Sequence, residues 1–126
     1  MRFLRSHTSI LLLIIIVGIG FCLRFINLGT IPNGLYQDET AIGFNAYSIL
    51  HTHKDEYGVT FPVYFKSFGD QKLPAYIYAT SVSIRTFGLN AFAVRFPSAL
   101  AGSLMVLVLY LLVAKITKNQ IGRAHV

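Results

Sequence analysis

Acidic residues are scarce in this chain and confined to one window. The 126 residues carry eleven lysines and arginines but only five acids, for a net charge of +6, and no acid occurs outside positions 38–70. Charged residues make up 13% of the chain, where about a quarter is usual, and 54% of the residues are hydrophobic. This composition argues against an ordinary soluble domain, and the length allows one domain at most.

Cysteine is also nearly absent, because Cys22 stands alone inside an apolar run. A disulfide framework is therefore excluded. The lysines and arginines do not gather in one stretch, as they would in a nucleic-acid-binding patch. They flank apolar runs instead, which is typical of membrane proteins. Nucleic acid is not an expected partner; a lipid bilayer is.

The first apolar run follows Arg2 and Arg5 and extends from position 8 to Ile26 with Arg24 as its one charge. About 18 helical residues span about 27 Å, enough for the hydrocarbon core of a bilayer. A cleaved signal peptide is the alternative, but the small-residue cleavage site is missing. The pattern predicts an uncleaved transmembrane helix over about 9–26, with the N-terminus in the cytoplasm.

A second uncharged run, FPSALAGSLMVLVLYLLVA, predicts a transmembrane helix over about 96–114. The residues between the two runs, about 27–95, then form an outer loop. Within it, helices are expected over about 38–50 and 73–87. The second is short and rich in hydroxyls, which favours a position in the membrane interface.

The predicted fold is thus an all-α polytopic membrane protein with two transmembrane helices and juxtamembrane helices in an outer loop. The alternative is three transmembrane helices, with 73–88 as the additional one. The flanking cations do not separate the two arrangements.

Asp38 and Glu39 lie at the start of the helix predicted over 38–50, whose residues Ile42, Ala46 and Ile49 recur at helical spacing. One interpretation is structural, with Asp38 as helix cap and both acids favoured by the helix dipole. The other is chemical, with a carboxylate at the membrane surface that accepts a proton from a hydroxyl.

Other polar residues of the loop carry similar pairs of interpretations. Asp55 and Glu56 are interpreted either as a charged turn or as part of a substrate-binding site. Lys72 reads either as an interfacial anchor or as a cation for a lipid phosphate. Together with Arg95, these residues are assigned to substrate binding. The pair His51 and His53 lacks further ligands, so no metal site is assigned.

The last six residues, IGRAHV, equal the translation of ATC GGA AGA GCA CAC GTC, the string of a common sequencing adapter. Residues 121–126 are therefore expected to be non-native, and residues 1–120 to be the N-terminal part of a larger membrane protein.

Three segments in this order carry a family resemblance: the acidic pair in GLYQDETAIGF, the re-entry FGDQKLPAYIY, and AVRFPSALAG at the start of a helix. Over roughly residues 20–118 the chain resembles polytopic membrane glycosyltransferases of the GT-C fold. It is most similar to bacterial relatives of dolichyl-phosphate-mannose–protein mannosyltransferases and of the aminoarabinose transferases of lipid A.

The resemblance implies a sugar transfer from a polyprenyl-phosphate donor to a hydroxyl of a glycan, lipid or protein, outside the bacterial inner membrane. It implies that Asp38 is the catalytic base, that Glu39 supports it, and that Lys72 approaches the donor phosphate. No cofactor is assigned, and the need for a divalent metal stays open.

Two departures stand out. Lys-Leu-Pro replaces the Lys-Pro-Pro of many relatives, and Ala41 follows Thr40 where aminoarabinose transferases have arginine. A fragment of this kind is expected to be inactive alone. The alternative function is a non-catalytic membrane anchor or transporter fragment whose loop binds a partner.

Overall fold

The computed structural model describes residues 7–67 and 69–123, and these are mostly helical. Their elements in chain order are α1 (His7–Phe25), α2 (Gln37–Thr52), β1 (Phe65–Ser67), β2 (Asp70–Lys72), α3 (Pro74–Phe87) and α4 (Ala91–Arg123). The first three helices lie within two residues of the ranges predicted from the sequence, whereas α4 begins five residues before and ends nine residues after its predicted range of 96–114. The two strands were not predicted, so the description as all-α needs that correction. Arg2, Arg5 and residues 124–126 of the adapter-like end lie outside the described residues.

The chain divides into two compact units, one of residues 1–26 and 99–126 and the other of residues 27–98. In the first unit, the α1 residue Arg24 lies against Gly102 of α4, where a β-carbon would stand 2.9 Å from the arginine Nε. The guanidinium also donates to the Gly20 carbonyl in the preceding turn, at 3.0 Å. The charged Arg24 guanidinium therefore lies against helix backbone, close to the C-terminal end of α1.

Among the described helices, one segment is long and apolar enough to cross a membrane, Ala91–Thr117 in α4. The apolar part of α1 is shorter, Ile10–Phe25. A membrane crossing is thus supported by length and composition at α4. The second crossing, through α1, stays a prediction.

The start of α4 at Ala91, five residues before the predicted start, has a local cause. The Asn90 side chain accepts the Ala93 N–H at 2.8 Å, as a helix cap does. Pro97 inside the helix has no N–H to offer the Ala93 carbonyl four residues earlier. The Ser83 hydroxyl donates to that carbonyl instead, at 2.7 Å. The helix therefore passes through Pro97 without leaving Ala93 unpaired.

The core of the second unit forms where α2 packs along α3. Its buried side chains are Ala46, Ile49, Phe65, Ile77, Ile84 and Ala93. The helical spacing of Ala46 and Ile49 predicted an apolar face of α2 in the membrane interface, whereas the structure places these side chains in the core. The α3 hydroxyls at Thr80, Ser81 and Ser83 are buried too, so this polar side of α3 faces protein.

The first turn of α2 differs from the expectation that Asp38 caps it. The helix begins at Gln37 with Tyr36 at the cap position, two residues before Asp38. Glu39 is the residue whose side chain caps this turn, because from the third helical position its Oε2 accepts the Tyr36 N–H at 3.0 Å. The capping assignment to Asp38 is therefore wrong, and its carboxylate is left for another contact.

The hairpin of β1 and β2 positions Lys72. The strands pair antiparallel, with Phe65 opposite Lys72 and Ser67 opposite Asp70. Gly69 has a φ of +81° in the turn, a conformation that glycine adopts without strain. Because Phe65 is buried in the core, its partner Lys72 is held beside the start of α3.

Candidate functional site

Asp38 and Lys72, which are 34 residues apart in the chain, meet directly in the fold. The Lys72 Nζ lies 2.6 Å from Asp38 Oδ1 and donates a hydrogen bond to it. The Lys72 side chain is 15% exposed and that of Asp38 is 60% exposed. The two residues assigned on separate grounds, one as base and the other as phosphate ligand, therefore form a single ion pair.

This ion pair lies in an open depression of about 370 Å³. Its lining residues are Asp38, Ile42, Asp70, Gln71, Lys72, Leu73, Tyr76 and Ile77. The volume is at the lower end of that of small-molecule sites, and such sites combine apolar walls with a few polar groups. The depression thus offers one ammonium and two carboxylates beside aliphatic side chains.

Glu39 points to a different partner, Arg95 of α4. The Arg95 Nε and Nη2 donate to Glu39 Oε1 and Oε2, both at 2.8 Å, in a bidentate pair. Such a fork is the strongest form of carboxylate–guanidinium contact. It ties the first turn of α2 to α4.

The remaining Arg95 donors hold the segment that leads into α2. Nη1 donates to the carbonyls of Leu28 and Pro32 at 3.1 and 3.2 Å, and Nη2 donates to that of Gly34 at 2.6 Å. Arg95 is 6% exposed, and its five hydrogen bonds match the five donors of a guanidinium. Its contacts are thus those of a positioning residue, whereas its assigned role in substrate binding stays a prediction.

The hydrogen bond from Arg95 lowers the pKa of Glu39 below its ordinary value of 4.5, against the opposing effect of burial. The N–H of Tyr36 adds to the lowering. Glu39 is therefore ionised at neutral pH, and its pair with Arg95 is complete there.

Asp55 and Glu56 lie in a turn and do not line the depression. Asp55 Oδ1 accepts the N–H groups of Tyr57 and Val59 at 2.9 and 2.8 Å, as in a side-chain-stabilised turn. The buried Asn45 of α2 bonds both the backbone and the side chain of Glu56. Their assignment to substrate binding stays a prediction, and their contacts are those of a charged turn.

The two histidines are directed to different aromatic neighbours. The His51 ring lies 4.3 Å from that of Tyr47, and the His53 ring stacks at 5.2 Å on Phe61. Within residues 7–67 and 69–123, no group of three or more histidine, cysteine or acidic side chains could hold a metal ion.

Sequence reasoning missed Asp70, Gln71 and Tyr76 as lining residues of the depression. The missing information was the pairing of the hairpin, whose second strand lines the depression together with Asp38 and Ile42 of α2. The Tyr76 hydroxyl donates to the Val94 carbonyl at 2.8 Å, which attaches α3 to α4 at this site. An isolated strand of three residues gives no periodic signal strong enough to predict such pairing.

Comparison with protein-family models, with curated proteins and with solved structures finds no match to this chain. The resemblance to GT-C glycosyltransferases therefore depends on the sequence motifs alone. Any functional conclusion has to come from the geometry of the site together with those motifs.

Proposed function

We propose that this chain carries the catalytic loop of a membrane glycosyltransferase that uses a polyprenyl-phosphate sugar. The observation that carries the proposal is the contact of Lys72 Nζ with Asp38 Oδ1 at 2.6 Å inside one depression. A base for the acceptor and a cation for the leaving phosphate must lie within a few ångströms of each other in such a reaction. These two residues meet that requirement.

The reaction is an inverting substitution at the anomeric carbon. The Asp38 carboxylate takes the proton of the acceptor hydroxyl, and the oxygen of that hydroxyl forms a bond to the anomeric carbon. The bond between this carbon and the donor phosphate oxygen breaks, and the electron pair leaves with the phosphate. Lys72 stabilises the charge that develops on this polyprenyl phosphate.

In this proposal, Glu39 and Arg95 position the backbone that carries the base, Asp38. Their bidentate pair fixes the first turn of α2, and Asp38 is the residue directly before Glu39. Arg95 also fixes the segment before α2 through three carbonyls. The backbone that carries Asp38 is therefore held from both directions.

The location at a membrane surface is supported by the structure around the site. The 14 residues of α3 span about 21 Å, less than the roughly 30 Å of a hydrocarbon core. A nearby loop exposes large apolar and aromatic side chains, namely Tyr57, Val59, Phe61, Val63 and Tyr64. Amphipathic rings such as tyrosine favour the headgroup region. Both features fit a loop that lies in the outer interface.

The topology gives a first prediction. We expect the N-terminus and Lys118 in the cytoplasm and residues 27–95 on the outer side, so that α1 and α4 both cross the membrane. Reporter fusions after Phe25, Asn90 and Lys118 measure the side on which each position lies. A cytoplasmic Asn90 would contradict this arrangement and support the alternative in which α3 also crosses.

The donor class gives a second prediction. The complete gene product in proteoliposomes should release sugar from polyprenyl-phosphate hexoses and not from nucleotide sugars, because the role proposed for Lys72 is to bind a lipid phosphate at the bilayer. The measurement is the appearance of free polyprenyl phosphate by thin-layer chromatography, with Lys72→Ala proteoliposomes as control. Turnover of nucleotide sugars alone would overturn the proposal. Absence of any turnover would favour the alternative of a non-catalytic anchor.

A further inference from the structure

The Asp38 carboxylate contacts the Lys72 ammonium at 2.6 Å, so a donor phosphate that binds this ammonium meets a second anion there. We propose that Asp38 and the donor phosphate compete for the Lys72 ammonium, so that Asp38 is freed to act as base only after the donor has bound. The inference rests on the proposed function and adds an order to it. The donor binds first, and deprotonation of the acceptor follows.

Asp38 is the partner that can leave. Its side chain is 60% exposed, and in the described part of the chain its one hydrogen bond is that from Lys72. Lys72 is only 15% exposed and belongs to a strand whose partner residue is the buried Phe65. A rotation of the Asp38 side chain breaks this single contact while the first turn of α2 stays attached through Glu39.

A phosphate is the kind of ligand that can displace this carboxylate. An ion pair with one exposed partner is weak, since water and salt screen it. A lysine ammonium has three donors and binds phosphate as a compact charge. If Asp38 stayed in place, two anions would be in contact at one cation, and their repulsion opposes that arrangement. The phosphate therefore expels the carboxylate and does not join it.

Release of Asp38 from Lys72 makes its Oδ1 available to another hydrogen-bond donor. In the closed pair, Oδ1 already accepts a hydrogen bond from a cation at 2.6 Å, which holds the carboxylate toward Lys72. Once the phosphate has replaced it, the same oxygen is available to an acceptor hydroxyl at the opening of the depression. The acceptor is thus not deprotonated at a site that has no sugar to transfer.

The test is a binding titration with farnesyl phosphate on the complete gene product in nanodiscs. Asp38→Asn removes the competing charge and should tighten binding by about twofold to fivefold, the range of an exposed ion pair. Lys72→Ala should weaken it by about tenfold or more. Asp70→Asn is the matched control, because Asp70 lines the same depression and its side chain bonds the N–H of Gln71 instead. It should change the affinity less than Asp38→Asn does.

Farnesol, which has the same chain without the phosphate, should bind equally to all four proteins. If the unaltered protein binds farnesyl phosphate and Asp38→Asn leaves the affinity unchanged or weaker, the competition is refuted while the proposed function stands. Equal tightening by Asp70→Asn, or tightening for farnesol as well, would also refute it. If the unaltered protein does not bind farnesyl phosphate, both the competition and the proposed function fail.

Discussion

Asp38→Asn in the complete gene product should lower the rate of sugar transfer by about 10²–10⁴-fold, the usual contribution of a general base. Asparagine keeps the size of the side chain but cannot take the proton of the acceptor hydroxyl. The capping contact of α2 belongs to Glu39, so the helix should keep its first turn. The loss should therefore appear in kcat, while the donor binds at least as tightly as before.

Asp55→Asn is the matched control for this prediction. It makes the same chemical change in the same loop, at a carboxylate that accepts two backbone N–H groups and does not line the depression. Transfer per folded molecule should stay within a few-fold of the unaltered protein. The choice of acid is wrong if Asp55→Asn abolishes transfer and Asp38→Asn keeps it. If neither variant loses activity, the loop carboxylates are structural.

Arg95→Ala should have the largest effect on stability. It removes five hydrogen bonds and leaves the Glu39 carboxylate without its counter-ion. Loss of one partner of a buried ion pair costs about 3–5 kcal/mol, and because Glu39 stays 29% exposed we expect about 3 kcal/mol here. Arg95→Lys should restore only part of the lost stability, since an ammonium cannot form the bidentate pair with the carboxylate.

The measurement is denaturant unfolding in detergent micelles, with Arg85→Ala as control. Arg85 is an exposed arginine of α3, and within the described residues its side chain has no hydrogen bond or ion pair. Its loss should change the free energy of unfolding by no more than about 0.5 kcal/mol. Equal effects of the two substitutions would contradict the positioning role of Arg95.

The ion pair of Glu39 and Arg95 makes the free energy of unfolding depend on pH in a defined direction. The folded pKa of Glu39 is lowered below 4.5, mainly by the hydrogen bond from Arg95. Its contribution is therefore complete above the ordinary glutamate pKa and is lost as the pH falls through the lowered folded value. The stability difference between the unaltered protein and Glu39→Gln should shrink over that acidic range. A difference that grows on acidification would contradict the pairing.

The helical framework could be predicted because its signals are local. Apolar residues at helical spacing indicated α2, and the long uncharged run indicated the body of α4. Pro74 and Gly88 mark the two ends of α3, where proline suits the first turn and glycine follows the last residue. Each of these signals depends on a few neighbouring residues, whereas the extension of α4 to Ala91 and Arg123 was not predicted.

The contacts that build the site could not be predicted, since they join residues far apart in the chain. Glu39 and Arg95 are separated by 56 positions, and Asp38 and Lys72 by 34. Nothing in the sequence indicated that adjacent acids would take different partners, one structural and one in the depression. The division follows from the helix, because neighbouring residues in a helix point about 100° apart.

The pairing of Asp38 with Lys72 in one reaction is tested most directly by a double-mutant cycle. The measured quantity is the rate at which polyprenyl phosphate is released from a polyprenyl-phosphate sugar by the complete gene product. The four proteins are the unaltered chain, Asp38→Asn, Lys72→Ala and the double variant. If both residues act on the same transition state, Lys72→Ala should cost far less in the Asp38→Asn background than in the unaltered protein. Losses that multiply independently, or single variants that keep full activity, would contradict a shared site.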